Sequence, residues 1–191
     1  MTGKNCLAAL FATSAEVEEA LQKLERAGFD LDAAVSVLGR LYEADTGAGG
    51  ESGRQGDEKR TRQPHQRYCR KFEDFALFPN TTIGRVAVCG PMMGAMLDTL
   101  RSDEADGVLA ALESALAAAG VPEHSMRGYE DAIARGHILI LVKGSAREVE
   151  QGVELLATGS EIEVAVHVRQ GTGATQGIRA GTRGQEPLAT G

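Results

Sequence analysis

Two stretches of the chain decide its fold: FATSAEVEEALQKLERAGF (11–29) and LVKGSAREVEQGVELLATGS (141–160). Each has a strand end, a Ser-Ala pair, the triplet Glu-Val-Glu and then apolar residues at helical spacing, and a one-residue gap aligns the two. In each, a hydroxyl residue stands three positions before a Glu, which is the capping-box pattern of a helix start. The match predicts an internal structural repeat. The alternative is chance similarity between two capped helices.

Short apolar segments flank both helices and predict strands. They are CLAALFA (6–12), AAVSVLG (33–39), HILILV (137–142) and IEVAVHV (162–168). For 33–39 the alternation is imperfect, and an extension of the helix is the alternative. Two strand–helix–strand (βαβ) halves joined by a long connection can pair as a four-stranded antiparallel sheet with helices on one face. We therefore expect an α+β fold, with a ferredoxin-like antiparallel sheet from two βαβ halves and an inserted helical segment.

Shifts in composition divide the chain into five parts. Residues 46–71 are dominated by glycine and charge and have too few apolar residues for a packed core, and the Gly- and Thr-rich C-terminal tail has no periodicity. We predict a first βαβ half at 1–45, a flexible charged insert at 46–71, a helical insertion at 72–136, a second βαβ half at 137–168 in one domain with 1–45, and a disordered tail at 169–191.

Helical spacing recurs through the expected insertion. Aromatic residues at 72, 75 and 78 indicate a first helix, which Pro79 ends. Pro91 fits the first turn of a second helix. Apolar spacing indicates further helices over 108–119 and 122–134. The methionines of the second helix are most simply core residues, although Met-rich faces also serve as adaptable binding surfaces.

Composition and charge limit the class of protein. The formal net charge of -7 favours solubility and argues against a chain that mainly coats nucleic acid. The three cysteines, Cys6, Cys69 and Cys89, lie far apart with no CxxC pair, so neither a disulfide framework nor a structural zinc site is expected. The sequence has no signal-peptide pattern and no apolar run of about 18 residues. We expect a cytoplasmic protein with reduced thiols and without a cofactor or membrane span.

One segment is basic within this acidic chain. KRTRQPHQRYCRK (59–71) holds six basic residues and no acidic one, with an aromatic ring among them. Such a pattern can hold a phosphate backbone by charge and stack a base. Docking on the acidic surface of the same chain and a plain solvated loop are the alternatives. The candidate anion- or partner-binding residues are Lys59, Arg60, Arg62, Arg67, Tyr68, Arg70 and Lys71.

Histidines and cysteines give weaker signals. His65 and Cys69 have a spacing that could chelate a metal on a helix, but no second pair completes a zinc site, and we expect none. His137 and His167 fall on strands of the two halves and could lie near each other, although strand histidines are more often packed or surface residues. Cys89 precedes a predicted helix start, where a thiol pKa is lowered, so it is either a redox-sensing thiol or a buried structural cysteine.

The segments GRVAVCGPMMGAML (84–97) and AAAGVPEHSMRGYEDAIARGHILILVKG (117–144) resemble the bacterial heat-induced or general stress protein family, with its YflT-like domains. With the first strand and helix, the resemblance covers most of residues 6–168. It implies a small α+β domain linked to stress response, with no established catalytic residues. The chain departs from the family at the charged insert and at 101–104, where charge splits an apolar stretch. The residues that carry the motif are Gly90, Pro91, Gly120, Pro122, Glu123, Tyr129, Glu130 and Gly136.

These observations favour a non-catalytic, stress-associated protein that acts by self-association, as a homo-oligomer, or by binding a protein partner. The expected surfaces are the exposed face or edge of the sheet and the helical segment 92–119. One alternative is a ferredoxin-like small-molecule-binding domain or a small cofactor-free enzyme, which rests on fold analogy alone. Another is a weak nucleic-acid or anion binder through residues 59–71.

Overall fold

A computed structural model describes residues 5–41, 68–80, 84–102, 107–157 and 161–168. Within them the strands form one antiparallel sheet in the order β3-β4-β2-β5-β1-β6. The strands are β1 (Asn5–Phe11), β2 (Val35–Leu41), β3 (Phe75–Asn80), β4 (Gly84–Cys89), β5 (Ile138–Gly144) and β6 (Glu163–His167). The helices are α1 (Ser14–Arg26), α2 (Leu31–Ala34), α3 (Pro91–Arg101), α4 (Val108–Ala119), α5 (Glu123–Ala134) and α6 (Ala146–Leu156), together with a 3-10 helix (Tyr68–Lys71).

The α+β class and the antiparallel sheet are confirmed. Strands from the early and late parts of the chain share the sheet, since β5 lies between β2 and β1, and β6 pairs with the other side of β1. The sheet has six described strands where four were expected, because the hairpin β3–β4 is added beside β2. Its strand order therefore differs from that of a simple ferredoxin fold.

Helices cover both faces of the sheet, whereas the sequence suggested one. On one face, which we call the α1/α6 face, these two helices pack on Leu7, Ala9 and Phe11 of β1. On the other face, the α3–α5 face, three helices pack on the alternate residues of the same strand. All seven residues of β1 are buried as a result. A strand that is buried on both faces is apolar throughout, which explains the unbroken run at 6–12.

The two capping boxes form as the sequence predicts. The Thr13 hydroxyl accepts a hydrogen bond from the Glu16 amide, and the Glu16 carboxylate accepts one from the Thr13 amide at 2.9 Å. Ser145 and Glu148 repeat the arrangement at the start of α6. Hydrogen bonds from Ser145 lower the pKa of the Glu148 carboxyl. Each box satisfies amides that a helix start would otherwise leave unpaired.

The helix expected over 72–78 is wrong. Phe75–Asn80 is strand β3, and the segment expected to be a helical insertion begins with the β3–β4 hairpin before its three helices. Burial alternates along β3, because Phe78 and Ala76 contact the α3–α5 core whereas Phe75 and Leu77 are exposed. The spacing of the aromatic residues at 72, 75 and 78 was thus coincidental, and Pro79 lies within a strand.

The flexible insert predicted for 46–71 is corrected at its C-terminal end. Residues 68–71 form the 3-10 helix, in which Tyr68 and Cys69 are buried against the α1/α6 core. The Tyr68 ring lies over β2 at Gly39, where a Cβ would come within 2.6 Å of the tyrosine hydroxyl. Residues 46–67 and the tail 169–191 lie outside the described residues, so those predictions stay predictions.

A close approach between Gly90, just after β4, and Val35, at the start of β2, sets the start of α3. Gly90 has φ +76°, and a Cβ there would overlap the carbonyl oxygen of Val35. The next residues place Pro91 in the first turn of α3, and the Ser36 hydroxyl accepts a hydrogen bond from the Met92 amide at 3.1 Å. The backbones approach this closely only because residue 90 has no side chain.

Replacing Gly90 with Ala should therefore destabilise the fold by at least about 2 kcal/mol, from the positive φ and the clash together. Gly94→Ala is the matched control, since Gly94 lies in α3 with no atom within 4 Å of an added Cβ. That variant should be neutral or more stable by up to about 1 kcal/mol. Urea unfolding measures the stability of both variants. Equal free energies of unfolding would contradict the close approach of Gly90 to the Val35 carbonyl.

Candidate functional site

The outer edge of β3 carries two of the four large hydrophobic side chains that are exposed in the described chain. Phe75 and Leu77 are 47% and 44% exposed, and they follow each other on one face of the strand. Among the described strands β3 pairs with β4 alone, so its other edge is free of sheet hydrogen bonds. A strand edge that also presents large apolar side chains is a ready-made pairing surface.

Pro79 limits the length of that edge. Proline has no amide hydrogen to donate, and within sheets it is confined to edge strands, strand starts or bulges. Pairing along the outer side of β3 is therefore restricted to about the four residues that precede it. The described edge thus combines a short backbone template with an apolar side-chain pair.

Charges of opposite sign flank this edge. Glu73 and Asp74 are exposed immediately before β3. At the far end Arg85 is exposed on β4, opposite Pro79 and on the same face as Leu77. The edge therefore has an acidic end, an apolar middle and a basic end.

A second feature lies at the opposite edge of the sheet, where α5 meets β6. The Tyr129 hydroxyl and Nε2 of His167 form a hydrogen bond of 2.8 Å, and the two rings are perpendicular with centroids 5.9 Å apart. Tyr129 is buried on α5, and His167 is half-buried at the end of β6. The pair joins the helical layer to the last strand.

The electrostatics of this pair favour its neutral state. Burial, with Glu163 and Cys6 as further contributors, raises the pKa of Tyr129. Burial, with His124 as a further contributor, lowers the pKa of His167. Burial also raises the pKa of Cys6, the cross-strand neighbour of His167, to about 12. The arrangement is a part-buried hydrogen bond between two side chains whose neutral forms are favoured.

The two strand histidines, which the sequence allowed to lie near each other, are far apart in the sheet. His167 of β6 pairs with Cys6 of β1, and Cys6 pairs on its other side with Lys143 near the end of β5. His137 precedes the first residue of β5, at the opposite end of that strand. Five residues of extended chain separate His137 from Lys143, so the histidines are on the order of 20 Å apart.

A small cavity lies between α3, α4 and the sheet. Its volume is about 30 Å³, and its lining includes Ser36, Met92, Ala115 and Lys143. That space suits one or two water molecules, well below the size of a pocket for a small organic ligand. Neither Tyr129 nor His167 lines it, so this cavity does not join the pair to a binding pocket.

The candidate basic residues are only partly described. Lys59, Arg60, Arg62 and Arg67 lie outside the described residues. Tyr68 is 1% exposed, so its ring is not available for stacking on a base. Lys71 forms an ion pair with Glu25 of α1 at 2.6 Å, which ties the 3-10 helix to the α1/α6 face, and Arg70 is exposed.

Six of the eight family-motif residues lie at or next to helix ends. They begin or end helices: Gly90 and Pro91 at α3, Gly120 at the left-handed cap of α4, Pro122 and Glu123 at the start of α5, and Gly136 just after it. Tyr129 and Glu130 lie within α5. Burial raises the pKa of the Glu130 carboxyl, with Glu113 and Asp131 as further contributors.

The structure also brings together two cysteines whose proximity the sequence did not reveal. The Cys89 thiol donates a hydrogen bond to the Cys69 sulfur, with the two Sγ atoms 2.9 Å apart. Both side chains are buried in the α1/α6 core. Only the pairing of β3 with β4, which was not predicted, could have placed these residues side by side.

In the described part of the chain no group of three or more His, Cys, Asp or Glu side chains could hold a metal ion. No helix there has the length and hydropathy needed to cross a bilayer.

Comparison of the chain with protein-family models, with curated proteins and with solved structures finds no match. The resemblance to the stress-protein family therefore stays a prediction from the sequence.

Removing the Tyr129 hydroxyl should weaken the junction between α5 and β6. Tyr129→Phe keeps the ring and loses the hydrogen bond to Nε2 of His167, and we expect it to lower the free energy of unfolding by about 1 kcal/mol. Chemical denaturation measures this. An unchanged free energy of unfolding would show that the 2.8 Å contact contributes nothing to stability.

His167 should also make stability depend on pH. Its pKa is lower in the folded chain, so the stability that neutral His167 provides is present above about pH 6.5 and is lost as the pH falls through the folded value. The stability advantage of wild type over His167→Gln should thus shrink on acidification. His137→Gln, at the other end of the sheet, is the control, and an advantage independent of pH would contradict the shift.

Proposed function

We propose that this chain is a non-catalytic protein that self-associates through the free edge of β3. The observation that carries the proposal is the exposure of Phe75 and Leu77 on β3, the edge strand next to β4 in the described sheet. Each side chain leaves almost half of its surface in water, at a cost that burial in an interface would remove.

A second copy of the chain fits this edge better than the remainder of the same chain does. The segment 42–67 supplies one tyrosine and two alanines among glycines and charged residues, and the tail 169–191 is also poor in large apolar residues. Neither segment contains a cluster of large apolar residues that matches the Phe75–Leu77 pair. β3 offers such a surface to an identical strand.

A two-fold axis at the middle of β3 makes the contact self-complementary. Antiparallel pairing of two β3 strands places the apolar pair of one copy against that of the other. The acidic residues 73 and 74 of one copy then lie towards Arg85 of its partner. Two-fold dimers are the commonest homo-oligomers, and a short edge bounded by Pro79 suits a dimer of modest affinity.

The proposal includes a finer description of the fold. The contiguous strands β6-β1-β5-β2 alternate between the two βαβ halves, and we take them as a ferredoxin-like unit to which the β3–β4 hairpin has been added. The added hairpin then supplies the association edge. The stress association and the cytoplasmic location rest on the sequence resemblance and on composition alone.

The test is the native mass as a function of protein concentration. Size-exclusion chromatography with light scattering should give twice the chain mass at high concentration and the chain mass on dilution. Phe75→Ser with Leu77→Thr should weaken the dimer about tenfold or more, since two half-exposed side chains lose their apolar contacts. Both substitutions leave the backbone hydrogen-bonding groups of the β3 edge unchanged.

The matched control lies at the other edge of the sheet. Ile162→Ser with Val168→Thr removes apolar side chains that are each 50% exposed beside β6. This variant should associate like wild type. Equal weakening by both pairs of substitutions would contradict an interface at β3, and the chain mass at all concentrations would contradict self-association itself.

A further inference from the structure

We propose that Cys69 and Cys89 form a reversible disulfide that fastens the 3-10 helix to β4 under sustained oxidation. The proposal concerns the folded chain by itself and does not rest on self-association. It starts from the sulfur–sulfur separation of 2.9 Å between two buried thiols on separate elements.

The separation distinguishes a disulfide from a shared metal ion. Two thiolates bound to one tetrahedral zinc at about 2.3 Å each lie about 3.7 Å apart. A disulfide bond measures about 2.05 Å, so the two sulfurs need to approach by roughly 0.9 Å. At 2.9 Å the pair is too close for the first arrangement and near the second.

The third cysteine cannot take part. Cys6 packs in the core of the α3–α5 face, whereas Cys69 and Cys89 pack in the core of the α1/α6 face. The sheet itself separates them. Three cysteines allow three possible disulfides, and the fold therefore permits only the one between Cys69 and Cys89.

The chemistry needs a two-electron oxidant, for which a peroxide suffices. The sulfur of one cysteine attacks a peroxide oxygen, the O–O bond breaks, and the thiol becomes a sulfenic acid while one water leaves. The second sulfur then attacks the sulfenic sulfur, the S–S bond forms, the S–O bond breaks and a second water leaves with the remaining thiol proton. Two thiols are oxidised and hydrogen peroxide is reduced to two waters.

Burial makes this a slow reaction. The thiol–thiol hydrogen bond, together with burial, raises the pKa of Cys89, so little thiolate is present at neutral pH. Access for peroxide requires the four-residue 3-10 helix to move off the core and its ion pair between Lys71 and Glu25 to break. The pair therefore responds to prolonged oxidation and not to a brief pulse.

The bond has a structural consequence at the start of β3. Phe75 is the cross-strand partner of Cys89, and only residues 72–74 separate the 3-10 helix from this strand. A Cys69–Cys89 bond closes a ring of about 20 residues that contains the whole β3–β4 hairpin. The oxidised protein should melt on the order of 5–10 °C higher than the reduced one, by the entropy of that closure.

The experiment exposes purified protein to near-stoichiometric hydrogen peroxide for hours, then alkylates it in denaturant without reductant. Intact mass and peptide mapping should show two protected thiols joined between residues 69 and 89, one alkylated thiol at Cys6, and full reversal by dithiothreitol. Cys6→Ser should retain the cross-link, and Cys89→Ala should abolish it.

Several results would overturn the proposal. Alkylation of all three thiols after oxidation, a bond that includes Cys6, or a bond only between chains would each contradict the pairing. So would sulfinic acid at either residue without a cross-link. A cross-linked protein that melts no higher than the reduced one would show that the bond does not fit the folded chain.

Discussion

Alternate residues of β1 enter the cores on the two faces of the sheet, and none of its seven residues is exposed. Such a strand cannot lie in a two-layer protein, because one of its apolar faces would remain in water. The helices α3, α4 and α5, which follow the β3–β4 hairpin, cover the second face of the sheet. The three-layer arrangement is therefore a consequence of the apolar runs at β1 and β5, and the remaining elements are placed by the need to close both cores.

This demand also explains where the edges of the sheet fall. α1 and α6 cover one face, and they begin at matching capping boxes. α3, α4 and α5 cover the other, with Gly90 allowing the chain to turn closely over β2. Neither group of helices covers Phe75 and Leu77, so these two apolar side chains stay exposed on the edge strand β3. The proposed interface is thus a by-product of how far the helical layers reach.

Local signals predicted local structure well. The repeated capping boxes and Pro91 identified helix starts because each acts through hydrogen bonds or backbone angles within a few residues. β3 was missed because three aromatic residues happened to have helical spacing, and their burial is decided by distant strands. The second helical layer was missed because continuous apolar strands do not say what covers them.

The candidate sites were harder to foresee for the same reason. The Tyr129–His167 hydrogen bond joins residues 38 positions apart, and the Cys69–Cys89 contact depends on the hairpin between them. Cys89 was singled out for its place before a helix, yet its partner came from a segment expected to be flexible. Pairings of this kind follow from strand register, which a single sequence specifies only through the whole fold.

The position of Tyr68 over Gly39 has a consequence for the chain between β2 and the 3-10 helix. The last residues of β2 and the first residue after the connection are held close together by the core itself. The core therefore fixes the two anchor points of residues 42–67, so the distance that this connection has to span is set by β2 and the 3-10 helix and not by its own length.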